Sequence, residues 1–265
     1  MQEIKIFQVD AFTDKLFRGN PAAVCILNEW RSDNQMQSIA AENNLSETAF
    51  VIKKNTGEYA IRWFTPTVEV NLCGHATLAS AFVLFEFFEP DAKEILFVSP
   101  RAGNLSVRKT DQLLTLNFPT GTLRGAAIGE ETINAMGMAP LEVYQGPSDL
   151  LLLFESQEQV ALLNPNFPML SKLLGTIGVI ATAPGKGVDF VSRYFAPGEG
   201  IDEDPVTGSA HTLLTPFWAK RLKKELLTAK QISKREGHLI CKLCDDRVEI
   251  SGNAILFLAG SIFIE

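Results

Sequence analysis

The side chains with chemical potential in this chain gather at two short turns and one isolated carboxylate. The first turn, Cys73-Gly74-His75-Ala76-Thr77, sets a thiol and an imidazole on either side of a glycine, just ahead of an apolar run. The second, Asp204-Pro205-Val206-Thr207-Gly208-Ser209, sets a carboxylate and two hydroxyls around another glycine. Each reads as the N-terminus of a helix, where unpaired backbone N–H groups and a positive dipole end favour a negative group by roughly 0.3–1 kcal/mol when exposed. Two such ends facing one another would clamp an anion, with Gly74 and Gly208 letting it approach the backbone. At Cys73 the same dipole end would favour a thiolate able to act as base or nucleophile; the alternative is a small buried hydrophobe. At His75 it disfavours the imidazolium and is expected to keep the ring neutral, free to donate or accept a hydrogen bond. His211 and His238 lack such neighbours and read as structural.

The isolated carboxylate is Glu47, in the segment NLSETAFV at 44–51. Asn44 and Glu47 have the spacing of a capping box, but the TAFVIKK that follows alternates as a strand does, so no helix is there to be capped. A carboxylate at a strand end, flanked by Ala49 and Phe50, is partly desolvated, which is the setting a general acid/base needs.

The elements that must position these groups repeat. RWFTPTVEVNLCGHATLASA at 62–81 is echoed by RYFAPGEGIDEDPVTGSAHT at 193–212, each a strand, a turn and a helix start. Laid without gaps, Arg62 meets Arg193, Phe64 meets Phe195 and Cys73 meets Asp204, an offset of 131 residues (204 less 73). That is close to half the chain, so a duplicated fold is expected, with a first half over 1–117 and a second over 118–265. Strand-like runs far outnumber helical ones: IKIFQVDAF, PAAVCIL, TAFVIKK and EYAIRWF surround a polar helix at 34–44 and precede the apolar helix ATLASAFVLFEFF. EILFV, NLSVRK and QLLTLNF close the half, and the second half repeats the order around GSAHTLLTPFWAKRL. Consecutive strands joined by short turns argue for an α+β fold of mostly antiparallel strands wrapping a central helix. No GxGxxG or Walker sequence follows a strand.

Composition narrows the partners. With 46% hydrophobic and 21% charged residues the chain is of globular type, and a formal charge of -7 argues against a nucleic-acid or anionic-membrane surface. The four cysteines lack the second pair or histidine cluster of a structural zinc site, so no metal is expected. The N-terminus alternates like a strand and lacks a signal-peptide pattern, and the longest apolar run is too short to span a membrane, so the cytoplasm is the expected location.

VDAFTDKLFRGNPAAV at 9–24, NLSETAFV at 44–51, RWFTP and CGHATLAS at 62–80, and EDPVTGSAH at 203–211 together resemble the PhzF-like isomerases of phenazine biosynthesis. That family is related to diaminopimelate epimerase and proline racemase. The resemblance covers essentially the whole chain and implies two pseudo-symmetric barrel halves, each around a central helix, with the active site in the cleft between them. It implies a homodimer that needs no metal, nucleotide or pyridoxal phosphate. The thiol-dependent relatives use one cysteine from each half; here Cys73 matches the first, but the second motif reads Pro205-Val206-Thr207-Gly208. By the resemblance, Glu47 moves a proton on a small carboxylate substrate, His75 and Asp204 shape the hydrogen-bond network, and Ser209 with Cys73, Gly74 and Gly208 binds the substrate. The alternatives are a Cys73-dependent amino-acid epimerase or racemase and a catalytically silent binding protein. At QISKREG, 231–237, glycines of the family pattern are replaced.

Overall fold

A computed structural model describes residues 1–265. The chain divides into two units, one formed by Met1–Phe118 with Ile250–Glu265 and the other by Pro119–Glu249. The first contains β1 (Gln2–Ala11), β2 (Asn20–Leu27), α1 (Asp33–Asn43), β3 (Glu47–Asn55), β4 (Glu58–Phe64) and β5 (Glu69–Val70). The central helix α2 (Gly74–Phe87) follows, then β6 (Glu94–Ser99), β7 (Gly103–Thr110) and β8 (Leu113–Pro119). The second contains β9 (Arg124–Gly125), α3 (Glu130–Met136), β10 (Glu142–Gln145), β11 (Asp149–Leu153), α4 (Gln157–Leu162) and α5 (Phe167–Leu174). It continues through β12 (Gly178–Pro184), β13 (Phe190–Ala196), β14 (Ile201–Asp204), the long helix α6 (Gly208–Leu222), β15 (Leu226–Gln231) and β16 (Gly237–Cys244). β17 (Arg247–Gly252) leads the chain back to β18 (Ala254–Ile264). The sequence pattern groups this last strand with the second half, but it pairs antiparallel with β1 from Gln2↔Ile264 to Ala11↔Ala254 and belongs to the first unit.

Both units are α+β and show the duplication in their pairing order. In the first, β2–β3 is parallel, β3–β4 antiparallel, β4–β6 parallel and β6–β7 antiparallel. In the second, β11–β12, β12–β13, β13–β15 and β15–β16 run through the same alternation. Each also holds a bidentate pair at the equivalent turn: Arg62 to Glu69 across β4 and β5, Arg193 to Glu203 across β13 and β14. The guanidinium of each lies over a phenylalanine two residues on, Phe64 at 5.2 Å and Phe195 at 4.9 Å. Hydrogen bonds of this charged kind contribute about 1.5–3 kcal/mol each, enough to fix the turn that delivers the helix.

These pairs also correct the register of the repeat. Arg62 and Glu69 are 7 residues apart and Arg193 and Glu203 are 10 apart, so the second turn carries 3 more, around a 3₁₀ turn at Pro197–Glu199. Beyond it the offset is 134 (207 less 73), and the residue that matches Cys73 is Thr207, not Asp204. Both occupy the N-cap position in extended backbone, and neither makes a side-chain capping bond.

The two central helices are buried over most of their lengths, and their polar side chains bond back to their own backbone. Thr77 Oγ1 donates to the Cys73 carbonyl at 2.6 Å and Ser80 Oγ to that of Ala76 at 2.7 Å. In α6, His211 Nδ1 meets the Thr207 carbonyl at 2.8 Å and Thr215 Oγ1 that of His211 at 2.6 Å. Such i−4 bonds let hydroxyls and an imidazole sit in an apolar interior without stranded donors. Pro216 cannot bond the Thr212 carbonyl, and the Gly121 N–H takes it instead at 3.1 Å. Glycine at 121 fits this approach without displacing Leu213, whose Cδ2 would stand 2.4 Å from a Cβ there.

His211 is fully buried against Phe190, and burial holds its imidazole down at about 4, against the ordinary 6.5, with the bond to Thr207 opposing only in part. Between those values the unfolded chain binds a proton that the native one refuses, so stability falls as pH drops from 6.5 to 4, by on the order of 3 kcal/mol in all. We expect denaturant unfolding at pH 4.5 to show a deficit relative to pH 7 that His211→Asn, which keeps a donor for the Thr207 carbonyl, flattens. A pH slope unchanged in that variant would contradict the assignment.

Candidate active site

Three neighbouring elements of the first unit bring Asn20, Glu47, Cys73 and His75 together. β2 and β3 run parallel with Ala22 opposite Glu47, so Asn20, the first residue of β2, and Glu47, the first of β3, lie at the same strand ends. α2 packs on β1, β2 and β3 and presents His75 from its first turn. Asn44 closes α1 in left-handed backbone, and Glu47 opens a strand, as the alternation of TAFVIKK requires. The loop that delivers Asn20 is strained: Phe12 and Phe17 have φ of 62° and 68°, at an order of ~1–3 kcal/mol each. It is pinned by the Phe17 N–H donating to Asp10 Oδ2 at 2.9 Å and by Gly19, whose Cβ would lie 2.1 Å from the Ala11 carbonyl oxygen.

Within the site, Asn20 Nδ2 lies 3.1 Å from His75 Nδ1, and Cys73 Sγ lies 3.5 Å from the same nitrogen. An amide nitrogen only donates, so in the neutral form of the ring Nδ1 accepts and the proton sits on Nε2. Nε2 faces Glu47 Oε2 at 3.1 Å. The distance is that of a hydrogen bond, yet neither atom has a well-aligned partner in the protein. Contact between them is therefore electrostatic and open to competition by a ligand.

Burial alone disfavours an imidazolium at His75, but the Cys73 sulfur and the Glu47 carboxylate beside it outweigh burial and move the ring well above the ordinary histidine range. Cys73 itself is a thiol: burial first, and Glu47 second, push it up to about 11 despite the opposing effect of His75. With the sulfur uncharged at neutral pH, Glu47 is the partner that favours a protonated ring. The expectation of a ring held neutral by the helix end is thus corrected, since a carboxylate at 3.1 Å outweighs a half-charge. So is the thiolate reading of Cys73, whose side chain is almost wholly buried.

The second unit assembles another polar group around the start of α6. Thr207 Oγ1 donates a short hydrogen bond to Asp204 Oδ2, and the Thr207 N–H donates to Gln231 Oε1 at 2.8 Å. Gln231, fully buried at the end of β15, donates to the Asp204 carbonyl at 2.8 Å and to Thr207 Oγ1 at 3.1 Å. Gly208 is buried, whereas Ser209 is exposed and its carbonyl accepts from Thr212 Oγ1 at 2.7 Å. Asn20 and Gln231 are not among the sequence-derived site residues. Their signal lay in the GNP and QIS segments, where a buried amide beside a reactive turn is the cue.

The strand-rich halves, each around a buried helix, and the polar helix starts define the diaminopimelate epimerase-like class. A probable proline racemase of Agrobacterium radiobacter shares this fold, with a TM-score of 0.65 at 12% identity over 99% of this chain and 93% of that one. The family profile described as Phenazine biosynthesis-like protein, PhzC-PhzF, matches residues 9–260, and the chain belongs to that family. It is 48% identical over 262 residues to an uncharacterized isomerase of Pseudomonas aeruginosa, covering 99% of this chain and 100% of the relative. An uncharacterized isomerase of Halalkalibacterium halodurans is 42% identical over 267 residues, covering 100% of both. The crystal structure of a PhzF-family phenazine biosynthesis protein from Enterococcus faecalis superposes with a TM-score of 0.95 at 45% identity, covering 99% of this chain and 100% of that one. With such likeness along the whole chain, the protein is an isomerase.

The tautomer argument gives a direct measurement. In wild type, ¹⁵N shifts of His75 should show an acceptor-type Nδ1 in whatever fraction of the ring is neutral. Asn20→Asp, which offers an acceptor to Nδ1, should move the proton to Nδ1 and raise the ring's titration further. Unchanged ¹⁵N shifts in that variant would remove Asn20 from the site.

Proposed function

We propose that the protein moves a proton within a small carboxylate substrate without a cofactor, and that Glu47 is the single acid/base. It takes the proton from a substrate carbon and returns it to another position on the same face. The observation that carries this reading is the pair Glu47 Oε2 and His75 Nε2, buried and facing one another without an aligned hydrogen bond. A carboxylate so placed is accessible enough to reach a substrate atom and dry enough to exchange a proton with carbon. His75 supplies hydrogen bonding from Nε2, and Asp204 is assigned with Thr207 to the polar network. The N–H groups about Gly74 in the first unit, and separately Ser209 with those about Gly208 in the second, each suit a carboxylate, as helix N-termini do. Cys73 lines this site as a thiol. The four cysteines are free, which suits a reducing cytoplasm, and no helix is long and apolar enough to cross a membrane.

The alternative of a Cys73-dependent epimerase requires a thiolate, and burial of this sulfur opposes one. A silent binding protein would have no use for an uncommitted carboxylate beside an imidazole. Glu47→Gln should abolish solvent-deuterium incorporation into a substrate found by screening cyclic and acyclic amino and hydroxy acids, a loss of at least about 10²-fold for a general base. Cys73→Ser should retain most of the exchange. Full activity in Glu47→Gln would refute the reading, and collapse in Cys73→Ser alone would favour the epimerase.

The homodimer is proposed on β18, whose residues 257–261 are exposed in succession, hence on both strand faces. Phe257 and Phe263 are 45% and 64% exposed, and Phe17 packs edge-on against Phe257. An apolar strand exposed in this way needs a cover, and a second copy supplies one symmetrically. Light scattering should give twice the mass of 29.1 kDa, and Phe257→Glu with Phe263→Glu should give the monomer. A monomeric wild type at micromolar concentration would sink the dimer.

A further inference from the structure

We propose that Glu47, Cys73 and His75 also form a capture site for a divalent cation of the zinc class, which competes with substrate and turns the enzyme off. One donor atom from each, a carboxylate oxygen, the thiol sulfur and a ring nitrogen, lie within 4.8 Å of one another. Donors bound to a tetrahedral ion at about 2.0–2.3 Å stand roughly 3.3–3.8 Å apart, so the three must close by about 1.5 Å at most. His75 Nε2 and Glu47 Oε2 already stand 3.1 Å apart, close to that range, while Cys73 Sγ lies 3.5 Å from the ring's other nitrogen, Nδ1, and within the 4.8 Å spread of the set.

The second observation is that two of the donor atoms lack an aligned hydrogen bond. His75 Nε2 and Glu47 Oε2 are buried without aligned partners, and the His75 side chain is 5% exposed. A bound cation would satisfy both at once. The donor set selects its occupant: sulfur, nitrogen and oxygen together suit zinc, and exclude calcium and magnesium, which take oxygen shells. Three protein ligands leave a fourth position for water or for a carboxylate.

The charge balances. Cys73–SH and the protonated His75 ring each give a proton to solvent as the sulfur–metal and nitrogen–metal bonds form, so a dication, a thiolate, a carboxylate and a neutral imidazole make a neutral complex. Neutrality matters because the positive end of α2 would repel an uncompensated cation. Amide rotation at Asn20 would present its oxygen to an Nδ1–H, the orienting second bond of metal-bound histidines. Cys25 and Cys241 do not compete: each is buried among apolar groups and pushed up to about 12. Cys244 is the accessible control.

This inference uses the side chains of the proton-transfer reading, and its inhibitory consequence rests on that reading, but ion binding does not. The probe is Co²⁺ added to the reduced full-length protein. One equivalent should produce saturable near-ultraviolet thiolate-to-metal absorption with intense tetrahedral visible bands, both displaced by Zn²⁺. Cys73→Ser, or Cys73→Ala where a buried serine unfolds the chain, should abolish the near-ultraviolet band, and His75→Ala should weaken binding at least about tenfold. Cys244→Ser should change nothing. Zinc should suppress wild-type deuterium exchange, and a chelator should restore it. Absence of saturable absorption, its survival in both Cys73 variants, or its loss in Cys244→Ser would overturn the capture site. If cobalt fails to bind while wild type exchanges deuterium and Glu47→Gln does not, capture falls and the proton-transfer reading stands. If cobalt binds while Glu47→Gln exchanges at the full rate, the reverse holds.

Discussion

Placing a carboxylate 3.1 Å from an imidazole inside a nearly closed site imposes demands on the whole of the first unit. Both groups lose most of their water, and neither recovers an aligned hydrogen bond from the other. Such a pair persists only if its backbones cannot relax away from it. Glu47 is held at the first residue of a strand paired on both sides, by β2 and by β4. His75 is held by the first turn of a helix whose own hydroxyls are tied to its carbonyls, and its far nitrogen is fixed by Asn20. Asn20 in turn depends on a loop kept in left-handed backbone at two phenylalanines by Asp10 and Gly19. The strain of that loop and the unmet polarity of the pair are supported by the same apolar packing.

The duplication has its meaning in its departures. Up to the paired arginines the two halves coincide in strand order, ion pair and ring contact. Three additional residues then enter the second turn, and the helix-start positions carry different chemistry: Cys73 against Thr207 and His75 against Ser209. In the first unit the helix start is lined by a thiol and an imidazole turned inward. In the second it is closed by Thr207, Asp204 and Gln231 bonding to one another, with Ser209 outside. A self-satisfied network is rigid and a poor proton exchanger, whereas an unsatisfied carboxylate is neither. The asymmetry therefore leaves one helix start closed by its own hydrogen bonds and the other beside a buried carboxylate and imidazole that lack aligned ones.

Much of this was legible in the residues, for identifiable reasons. Period-two alternation exposed the strands, and the strand pattern after Glu47 excluded a capping role for it. The apolar run at 76–88, broken by Glu86, marked a helix that is buried over most of its length. What escaped depended on long-range geometry. Residues 250–265 follow the second half in sequence, but β18 is drawn to β1 by pairing that no local pattern records. The ungapped offset of 131 misplaced the helix start because a three-residue insertion in a turn leaves strand and helix periodicity untouched. α4 was overlooked although Ser156 and Gln159 carry its signal: the Gln159 N–H reaches Ser156 Oγ at 3.4 Å, and the Glu155 N–H reaches Gln159 Oε1 at 3.0 Å.

The reading of Cys73 shows how burial decides between two sound arguments. A helix N-terminus lowers a thiol's pKa through a partial charge, an effect of typically 0.3–1 kcal/mol when exposed and up to about 2 when partly buried. Removing the sulfur from water acts in the opposite sense and grows as the site closes, and a neighbouring carboxylate adds to it. From spacing alone the dipole is visible and the closure is not, so a reactive thiolate was a fair expectation. Once the side chain is enclosed beside Glu47, desolvation is the larger effect and the sulfur keeps its proton. The same enclosure that quiets the thiol also removes Glu47 Oε2 from contact with water, so the two effects have a single cause.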